Sequence, residues 1–562
     1  MAKLQLNFVQ ADPTAKADIS AISANAYKPW SSLNDLLYDN VSPPGNYATL
    51  EHNYAVLDGT TDEFPDDTSG QAWGLWSDSI SGDDGAFSVP PTLDISFSTP
   101  HKSRGLTLYF YPHTDDYANR VRVTWYGDSG SVITSGEYTP TSVVGVVMES
   151  VEGFRRITIE FLSTNIRGRF VKLFALDYGI VRVIRDEEIN SCKILEEVDP
   201  TVESVSINTL NANIRTRDGI FSPVTSADPD DMMMRRQLLT VTRDGAPFGT
   251  FFLETWEDIY QSGIEFDIYA VDAMGVLDLY GFMGGLYTNK PVTELLDEIF
   301  AVAFPTRLVS YILDPELSAS TVTGWIPICS CGEALQHICF ALNAAADTAR
   351  IGNIWIYPRE TEITYSVPLD RQYRRGRDSP SEFVSGVDVV SHSYVQGTEA
   401  ATAQNGVLPV GQAIIEFQAP LHSLTATGAT ILRSGANYAV LDVAVSGVVV
   451  LSGRRYSDNQ LLHSVRAELS AGEVESVMVY ENYTLVSPGT GQWLAQRLFD
   501  YLRQPIVSEL DVALDDLEVG YNARLATRGR DIVGTITRLD ITSLLSGTAT
   551  MEVRGNVDNS GH

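Results

Sequence analysis

The segment Gly127-Asp128-Ser129-Gly130 has the residue types found around a serine nucleophile. A serine attacks a carbonyl only when a histidine takes its proton and an acid orients that histidine. No suitable histidine-bearing segment precedes the motif, which lies between two strand-like runs, VRVTWY and SVITSGEY. Gly, Asp and Ser are also the residues that favour turns. The sequence therefore predicts a turn at this position and no catalytic residue.

A second group with possible chemistry is Cys329, Cys331 and Cys339 around His337, while Cys192 stands apart. Thiolates and imidazoles are zinc ligands, but the C-x-C spacing lacks the usual second pair. Cys339 and His337 cannot readily converge with both other cysteines from a single helix. We expect buried small side chains at a helix start, with no metal and no cofactor. Four cysteines are also too few for a disulfide framework.

A basic run is conspicuous in an acidic chain of 562 residues, which has 39 basic and 72 acidic residues and a net charge of −33. A solvated loop is the expected setting for this run, and a salt-bridged subunit contact is the alternative. A phosphate site ranks last, because no Gly-rich helix start accompanies the run. The residues of this first candidate interface are Arg371, Arg374, Arg375 and Arg377.

Three consecutive methionines form a second candidate interface. They end a polar segment rich in Pro and Asp, which predicts a protruding loop. Methionine side chains are flexible and polarisable, so beside an exposed loop they suit an adaptable contact. The residues are Met232, Met233 and Met234.

The charge balance also limits the partners. A duplex carries one phosphate charge per roughly 1.7 Å, so an acidic surface of this kind is unsuited to general nucleic-acid binding. It could line a conduit through which DNA passes without sticking. No apolar run approaches the roughly 20 residues that span a bilayer, and the N-terminus lacks a signal-peptide pattern. We expect a soluble protein made in a cytosol, without membrane insertion.

The same small β-pattern occurs twice, nearly 300 residues apart. Gln237 to Asp272 reads as a three-strand meander with a hairpin signal at Asp244-Gly245. Arg524 to Arg554 repeats it, which predicts two similar small β-barrels. Val202 to Ile207 and Ala212 to Thr216 are the expected opening strands of the first barrel. In the two copies, Thr242-Arg243 and Thr527-Arg528 each precede, by five intervening residues, Gly249 and Gly534.

Three helical patterns lie between the two β-patterns. Pro291 suits the first turn of a helix with an apolar stripe. Ser330 and Glu333 form a capping-box pattern at the start of a second helix. Gln492 to Arg503 has the period of a third helix. The sequence thus predicts an α/β insert between the barrels.

Residues 55–179 read as strand after strand separated by turns, which predicts an antiparallel β-sandwich. Aromatic rings in this part could stack on a sugar ring if they were exposed. The alternative is that they are core or inter-domain anchors. The candidate glycan contacts are Trp73, Trp76 and Tyr117.

The predicted fold class is therefore mainly β and multidomain, with two similar barrels flanking an α/β insert and an N-terminal antiparallel β-sandwich. The predicted domains are an N-terminal arm (1–54), the sandwich (55–180), the first barrel (181–288), the α/β insert (289–360), a β-rich domain (361–488), and a helix with the second barrel (489–562).

The order of these segments resembles the baseplate hub proteins of phage tails and related contractile injection machines. The resemblance covers roughly residues 185–556. It is carried by the stretches SCGEALQHICFALNAAADTARIGNIWIYP, GQWLAQRLFDYL and GYNARLATRGRDIVGTITRLD. Residues 55–179, with their aspartate-rich loop, resemble galactose-binding-like jelly-roll domains, an addition to the simplest hubs.

The resemblance implies a structural, non-enzymatic protein of the virion tail tip, assembled in the host cytoplasm. In that family three copies form a homotrimer that joins a six-fold tail tube to three-fold components. Two barrels per chain give six barrels in a ring. The implied partners are tail tube and distal tail proteins and spike or fibre proteins. DNA would pass through the channel during ejection without specific binding.

Two other function classes stay open. A carbohydrate-binding tail adhesin would use residues 55–179 as its working part. A glycan-degrading enzyme would need paired carboxylates about 5 to 9 Å apart in a cleft. The sequence has many carboxylates but no distinctive constellation, so we expect no enzyme.

Overall fold

The computed structural model describes residues 3–12, 14–27, 31–37, 51, 74–111, 115–216, 235–261, 263–304, 309–348, 350, 352–359, 362–470, 472–527 and 530–558. The chain divides into two compact units. The N-terminal unit is Asn7–Val183, and the large unit combines Met1–Leu6 with Ile184–His562. Both are mainly β, and the predicted fold class is confirmed.

The N-terminal unit is built on two long strands that bend through bulges and pair with shorter ones. The strand order is β3-β8-β4-β7-β5-β6, with β2 also on β4, and these pairings are antiparallel. Two further strands, β1 (Leu4–Ala11) and β9 (Gly179–Arg185), cross the division between the units. The others are β2 (Ile19–Ala24), β3 (Leu75–Ile80), β4 (Thr92–Phe110), β5 (Arg120–Tyr126), β6 (Val132–Tyr138), β7 (Val144–Ser163) and β8 (Phe170–Asp177).

Alternation along these strands makes the core of the N-terminal unit. In β4 the side chains of Leu93, Ile95 and Phe97 are buried, while those between them are partly or fully exposed. This period of two is the signal that predicted the strands. The predicted turn at Gly127–Gly130 is also confirmed. It joins β5 to β6, the N–H of Gly127 donates to the carbonyl of Ser131 (2.9 Å), and Gly130 has a φ of 72°.

A histidine held between two carboxylates ties the start of the N-terminal unit to β4. Nδ1 of His101 lies 2.8 Å from Asp12 and Nε2 lies 2.9 Å from Asp18. The hydrogen bond from His101 is the largest cause that lowers the pKa of Asp18, to about 2, and the N–H of Thr99 adds to it. Because the pKa of Asp18 is lowered in the folded protein, its ionised carboxylate stabilises the fold at pH values above the ordinary pKa of 3.8. That stability is lost as the pH falls towards 2.

Between about pH 4 and pH 2, protonation of Asp18 lowers the stability of the wild-type N-terminal unit. We expect the Asp18→Asn variant to lack this part of the fall in stability. The amide cannot ionise, so the contribution of position 18 to stability does not change over that window, whereas in the wild type this contribution falls. Unfolding measured by fluorescence from pH 5 to pH 2 tests this. Asp83→Asn, at an exposed turn of the same unit, is the control. Parallel acid curves for wild type and Asp18→Asn would contradict the prediction.

The large unit carries its strands in one long sheet and several small ones. The strands are β10 (Ile189–Glu197), β11 (Thr209–Thr216), β12 (Leu238–Arg243), β13 (Ala246–Gln261), β14 (Gly263–Val271), β15 (Gly281–Phe282), β16 (Gly285–Pro291), β17 (Tyr311–Leu313), β18 (Thr321–Ile326), β19 (Cys329–Ser330), β20 (Ala344–Asp347), β21 (Ile354–Pro358), β22 (Ile363–Val367), β23 (Gln372–Pro380), β24 (Gly386–Leu408), β25 (Gly411–Glu416), β26 (Leu421–Thr427), β27 (Thr430–Ser434), β28 (Tyr438–Val443), β29 (Gly447–Arg466), β30 (Val477–Tyr480), β31 (Ile506–Ala513), β32 (Asn522–Ala526), β33 (Asp531–Ser543) and β34 (Thr548–Asp558).

The α-helices of the large unit are α1 (Ala273–Leu277), α2 (Val292–Ala303), α3 (Cys331–Leu342) and α4 (Gly491–Leu502). The three helices predicted from the sequence are confirmed to within a residue at their starts. Pro291 is the N-cap of α2 rather than its first helical residue. At α3, Ser330 Oγ accepts from the N–H of Glu333 (3.0 Å), and the Glu333 carboxylate accepts from the N–H of Ser330 (2.9 Å). The apolar stripes of α2, α3 and α4 meet in one core.

One expected strand is wrong. Val202 to Ile207 is not a strand, and the opening strand is β10, which lies earlier in the chain than the expected one. The carboxylate of Asp199 accepts hydrogen bonds from the N–H groups of Thr201, Glu203 and Ser204. An aspartate that binds nearby backbone in this way holds the chain in a turn and keeps those groups out of a ladder.

Asp272, the N-cap of α1, is buried where it cannot be hydrated. Its carboxylate accepts from the N–H groups of Met274 (3.1 Å) and Gly275 (3.2 Å) and from the hydroxyl of Thr348 (3.2 Å). Burial is the largest cause acting on it and raises its pKa to about 7, although these hydrogen bonds act in the opposite direction. Because the folded pKa is raised, the related stability is present at low pH and is lost as the pH rises towards 7.

We expect Asp272→Asn to remove a loss of stability of a few kcal/mol that the wild type undergoes between about pH 4 and pH 7. Asparagine keeps the capping oxygen and has no charge to bury. Denaturant unfolding at pH 5 and at pH 8 measures the free energy of unfolding of both proteins. Any advantage of the wild type over Asp272→Asn at pH 5 should shrink or change sign at pH 8. Asp272→Ala is the control, since it should destabilise at both pH values through loss of the cap. A pH-independent difference for Asp272→Asn would refute the assignment.

Candidate functional site: the joint between two equivalent sheets

The two predicted barrels are two regions of one continuous sheet with the same strand order. The first region runs β12-β13-β14-β11-β10, and the second runs β32-β33-β34-β31-β23. In both, the first strand along the chain pairs with the second, the second with the fifth, the fifth with the fourth, and the fourth with the third. All of these pairings are antiparallel. The repeated sequence pattern therefore corresponds to a repeated topology.

Bulges fix the correspondence between the two regions residue by residue. In β13 the pairing with β14 shifts after Leu253, and in β33 the pairing with β34 shifts after Ile536. The backbone around both residues is bonded alike. Leu253 exchanges hydrogen bonds with Arg236 and Gln237, as Ile536 does with Gly520 and Tyr521. Leu253 and Ile536 are thus structurally equivalent.

This correspondence differs from the alignment suggested by the sequence. Gly249 lies four residues before its bulge, whereas Gly534 lies two residues before the equivalent bulge. The glycines are thus two residues out of step, because the bulge follows seven residues after the first residue of β13, Ala246, but five residues after the first residue of β33, Asp531. A shift of two leaves every side chain on the same face of the sheet, so the hydrophobic pattern cannot detect it.

The two regions are joined edge to edge by β10 and β33. Ile194 to Glu197 pair antiparallel with Arg538 to Ile541, and the N–H of Val198 donates to Thr537 (3.0 Å). On β33 the pairing with β32 ends at Thr535, and the pairing with β10 begins just beyond that residue. The fourth strand of the second region is therefore shared between its own third strand and the first strand of the first region.

A mostly buried arginine side chain stabilises this joint from one side. Both carboxylate oxygens of Glu196 on β10 accept from Arg350, each at 2.7 Å, and Arg350 also donates to the carbonyl of Leu517 (2.8 Å). Its guanidinium lies 4.3 Å from the ring centroid of Phe248. One side chain thus contacts both regions of the sheet. Burial is the largest single influence on Arg350 and favours its neutral form, but the charge and hydrogen bonds of Glu196, together with the nearby Glu518 carboxylate, raise the Arg350 pKa overall.

No sequence motif pointed to Glu196 or Arg350, which lie within the predicted first barrel and the predicted α/β insert. Arg350 has a φ of 59°, a conformation that is uncommon for residues other than glycine. No local pattern announces this conformation or the ion pair, since the partners lie 154 positions apart.

The basic run lies on β23 and on the turn before it rather than in a loop. Arg371 donates to the carbonyls of Ala513 (3.2 Å) and Leu514 (3.1 Å) and to the carboxylate of Asp516 (2.9 Å). Arg377 is 2.7 Å from Glu509 on the neighbouring strand. Arg374 and Arg375 lie at a bulge of β23, between Gln372 and Gly376. The run therefore follows a strand at the end of the sheet order, and a subunit contact there stays a prediction.

The other candidate residues are not brought together by the described part of the chain. Met232, Met233, Met234 and Trp73 lie outside the described residues. Trp76 is 1% exposed, and its ring lies 5.4 Å from the ammonium of the buried Lys172. Tyr117 is partly buried, and its N–H donates to the side chain of Asn165. These positions place Trp76 among core side chains, where its ring faces are covered.

The cysteine and histidine group lies around α3. Burial raises the pKa of Cys339 to about 12 and lowers that of His337 to about 4. A neutral thiol and a neutral imidazole in an apolar setting suit packing between helices. Within the described residues no group of three or more His, Cys, Asp or Glu side chains could hold a metal ion. Among those same residues, no helix is long and apolar enough to cross a bilayer.

Comparisons with known proteins give partial similarities of fold. A tail protein from Neisseria meningitidis is 12% identical, with a TM-score of 0.42, and the match covers 67% of this chain and 94% of that chain. A prophage tail protein from Shewanella oneidensis is 12% identical, with a TM-score of 0.40, covering 66% of this chain and 95% of that chain. A family 32 CBM from C. perfringens, solved with galactose, is 9% identical, with a TM-score of 0.19, covering 31% of this chain and 99% of that chain. No family model matches the sequence, and a search of curated proteins gives no significant match.

Proposed function

We propose that this chain is a structural hub of a phage tail tip, in which three copies present six equivalent sheet regions around a channel. The observation that carries the proposal is the joint between β10 and β33, which connects two regions of identical strand order within one chain. A contact between equivalent units that is not self-closing can be repeated from copy to copy until a ring closes.

The residues that would repeat the joint between copies follow from the equivalence of the two regions. Along the ladders, Ile194 to Glu197 of the first region correspond to Asp378 to Ser381 of the second. Arg538 to Ile541 correspond to Thr255 to Asp258 on β13. The joint between copies therefore places Asp378 to Ser381 of one copy against Thr255 to Asp258 of the next.

The order of strands leaves these segments in position for such a contact. β23 lies at the end of the sheet order, and the ladder of β13 with β12 ends at Phe252. Backbone hydrogen bonds across strand edges do not depend on side-chain identity, so two unlike sequences can form the same contact. Pro380 has no N–H, which makes the joint between copies weaker by one donor than the joint within the chain.

A disulfide tests the ring directly. Residues directly opposite each other in antiparallel strands lie about 4.5–5.5 Å apart, within the range for a disulfide. Ser379→Cys with Glu257→Cys should, on oxidation, yield covalent trimers on a denaturing gel and a particle of three copies in solution. Leu195→Cys with Asp540→Cys, the equivalent pair within the chain, should oxidise without any increase in mass. Monomers from the first variant, together with a monomeric wild type, would end the proposal.

The net charge of −33 fits a channel for DNA in this assembly. Like charge keeps a polyanion from adhering to the wall of a passage, so DNA transits without specific binding. We expect no binding of duplex DNA by the assembled protein at physiological salt, measured by gel mobility. Tail tube, distal tail and spike or fibre proteins are the partners of this role.

A further inference from the structure

Residues 400–452 form a part of the large unit that is almost free of charge. Glu416, Arg433 and Asp442 are its only Asp, Glu, Lys or Arg residues, in a chain with 111 of them among 562. The segment has a core of its own, which includes Leu441 from the sheet β25-β28-β27 and Leu451 from the sheet that contains β24, β26 and β29. We call residues 400–452 the neutral sandwich.

Two turns lie side by side at one end of the neutral sandwich. The pairs Leu408 with Gly447 and Gly411 with Val443 bracket both turns, so the β24–β25 turn lies next to the β28–β29 turn. Apolar side chains project from these turns and from the strand ends that lead into them. We call them the neutral tip, which consists of Val407 (69% exposed), Val410 (64%), Val445 (76%) and Val448 (60%).

The edge strands of the neutral sandwich also have few charged residues. Natural edge strands usually carry charged residues or proline, which prevent pairing with other chains. Here β26 has no Asp, Glu, Lys or Arg, and β25 and β27 have one each, Glu416 and Arg433. Exposed valines beside uncharged edges are the pattern of a surface that another protein covers.

We propose that the neutral tip is a contact between copies of this chain in the three-copy assembly, an inference that rests on the proposed function. Copies that each carry a net charge of −33 repel one another. The free-energy cost of contact between copies is lowest where no carboxylate has to be desolvated. Interface cores are accordingly depleted of charged residues. An anionic bilayer or DNA would instead require clustered Lys and Arg, whereas the neutral sandwich has Arg433 alone.

The test introduces charge at the neutral tip of the full-length chain. Val445→Glu with Val448→Glu should raise the dissociation constant of the three-copy particle at least tenfold, as measured by mass photometry over a concentration series. The matched control is Val474→Glu with Val89→Glu, which adds the same charge at two valines that are 80% and 77% exposed elsewhere. Val410→Glu alone, in the turn, repeats the test with a milder change if the double variant fails to fold.

The outcomes separate this inference from the proposed function. A monomeric wild type would contradict the proposed function itself. Wild type and both tip variants assembling equally well would overturn only the role of the neutral tip, as would equal weakening by the control. Binding of the wild type to phosphatidylcholine vesicles that the tip variants lose, with assembly unchanged, would assign the neutral tip to a membrane instead.

Discussion

Arg350→Gln is expected to lower the free energy of unfolding of the large unit by about 3–5 kcal/mol. The substitution leaves the Glu196 carboxylate, whose side chain is 7% exposed, without its bidentate partner. It also removes the donor to the carbonyl of Leu517, so the contact between the two sheet regions is lost with the ion pair. Breaking a buried pair on one side costs more than the pair contributes, because the remaining charge stays desolvated.

The control for Arg350→Gln is the neighbouring ion pair of the joint, whose acid, Glu197, follows Glu196 on β10. Arg538 and Glu197 also bridge the joint, at 3.4 Å, but their side chains are 46% and 40% exposed. Arg538→Gln should therefore change stability by less than about 1 kcal/mol. Denaturant unfolding measures both variants, and hydrogen exchange at β10 and β33 locates the effect. The double variant Glu196→Gln with Arg350→Gln should be less destabilised than Arg350→Gln; equal losses for Arg350→Gln and Arg538→Gln would refute the assignment.

Gly534→Ala is expected to destabilise the second sheet region by about 3 kcal/mol. Gly534 on β33 lies directly opposite Gly555 on β34. A Cβ at Gly534 would overlap the carbonyl oxygen of Arg554 and lie 2.5 Å from the Cα of Gly555. Both neighbours are backbone in a ladder, so they can move only if the pairing of β33 with β34 changes. Glycine in a strand often marks such a close approach.

Gly281→Ala is the matched control for Gly534→Ala, because a Cβ at that strand glycine would meet nothing within 4 Å. Its effect on the unfolding free energy should stay within about 0.5 kcal/mol. Thermal unfolding of both variants provides the measurement. If Gly534 tolerates alanine as well as Gly281 does, the two strands are not packed as closely as described. A change at β33 should also reach the joint, since Arg538 to Ile541 belong to the same strand.

Local patterns in the sequence were sufficient for the elements that rest on neighbours along the chain. The alternation of Leu93, Ile95 and Phe97, the capping box at Ser330 and the hairpin at Asp244-Gly245 each express a short-range rule of backbone geometry. They predicted strands, a helix start and a turn that the structure contains. The repeat itself was also visible, because two similar meanders bring similar alternation and turn residues.

The tertiary structure alone decided how the two repeats relate to each other. Bulges at Leu253 and Ile536 set a register that differs by two residues from the sequence alignment, and a period of two hides that difference. The joint of Ile194 to Glu197 with β33 is made by backbone groups, which every sequence possesses, between segments more than 300 residues apart. Arg350 acquires its importance from burial beside that joint. Composition and periodicity thus determined the strands of the sheets, whereas contacts between strand edges that are distant in sequence determined the joint between β10 and β33.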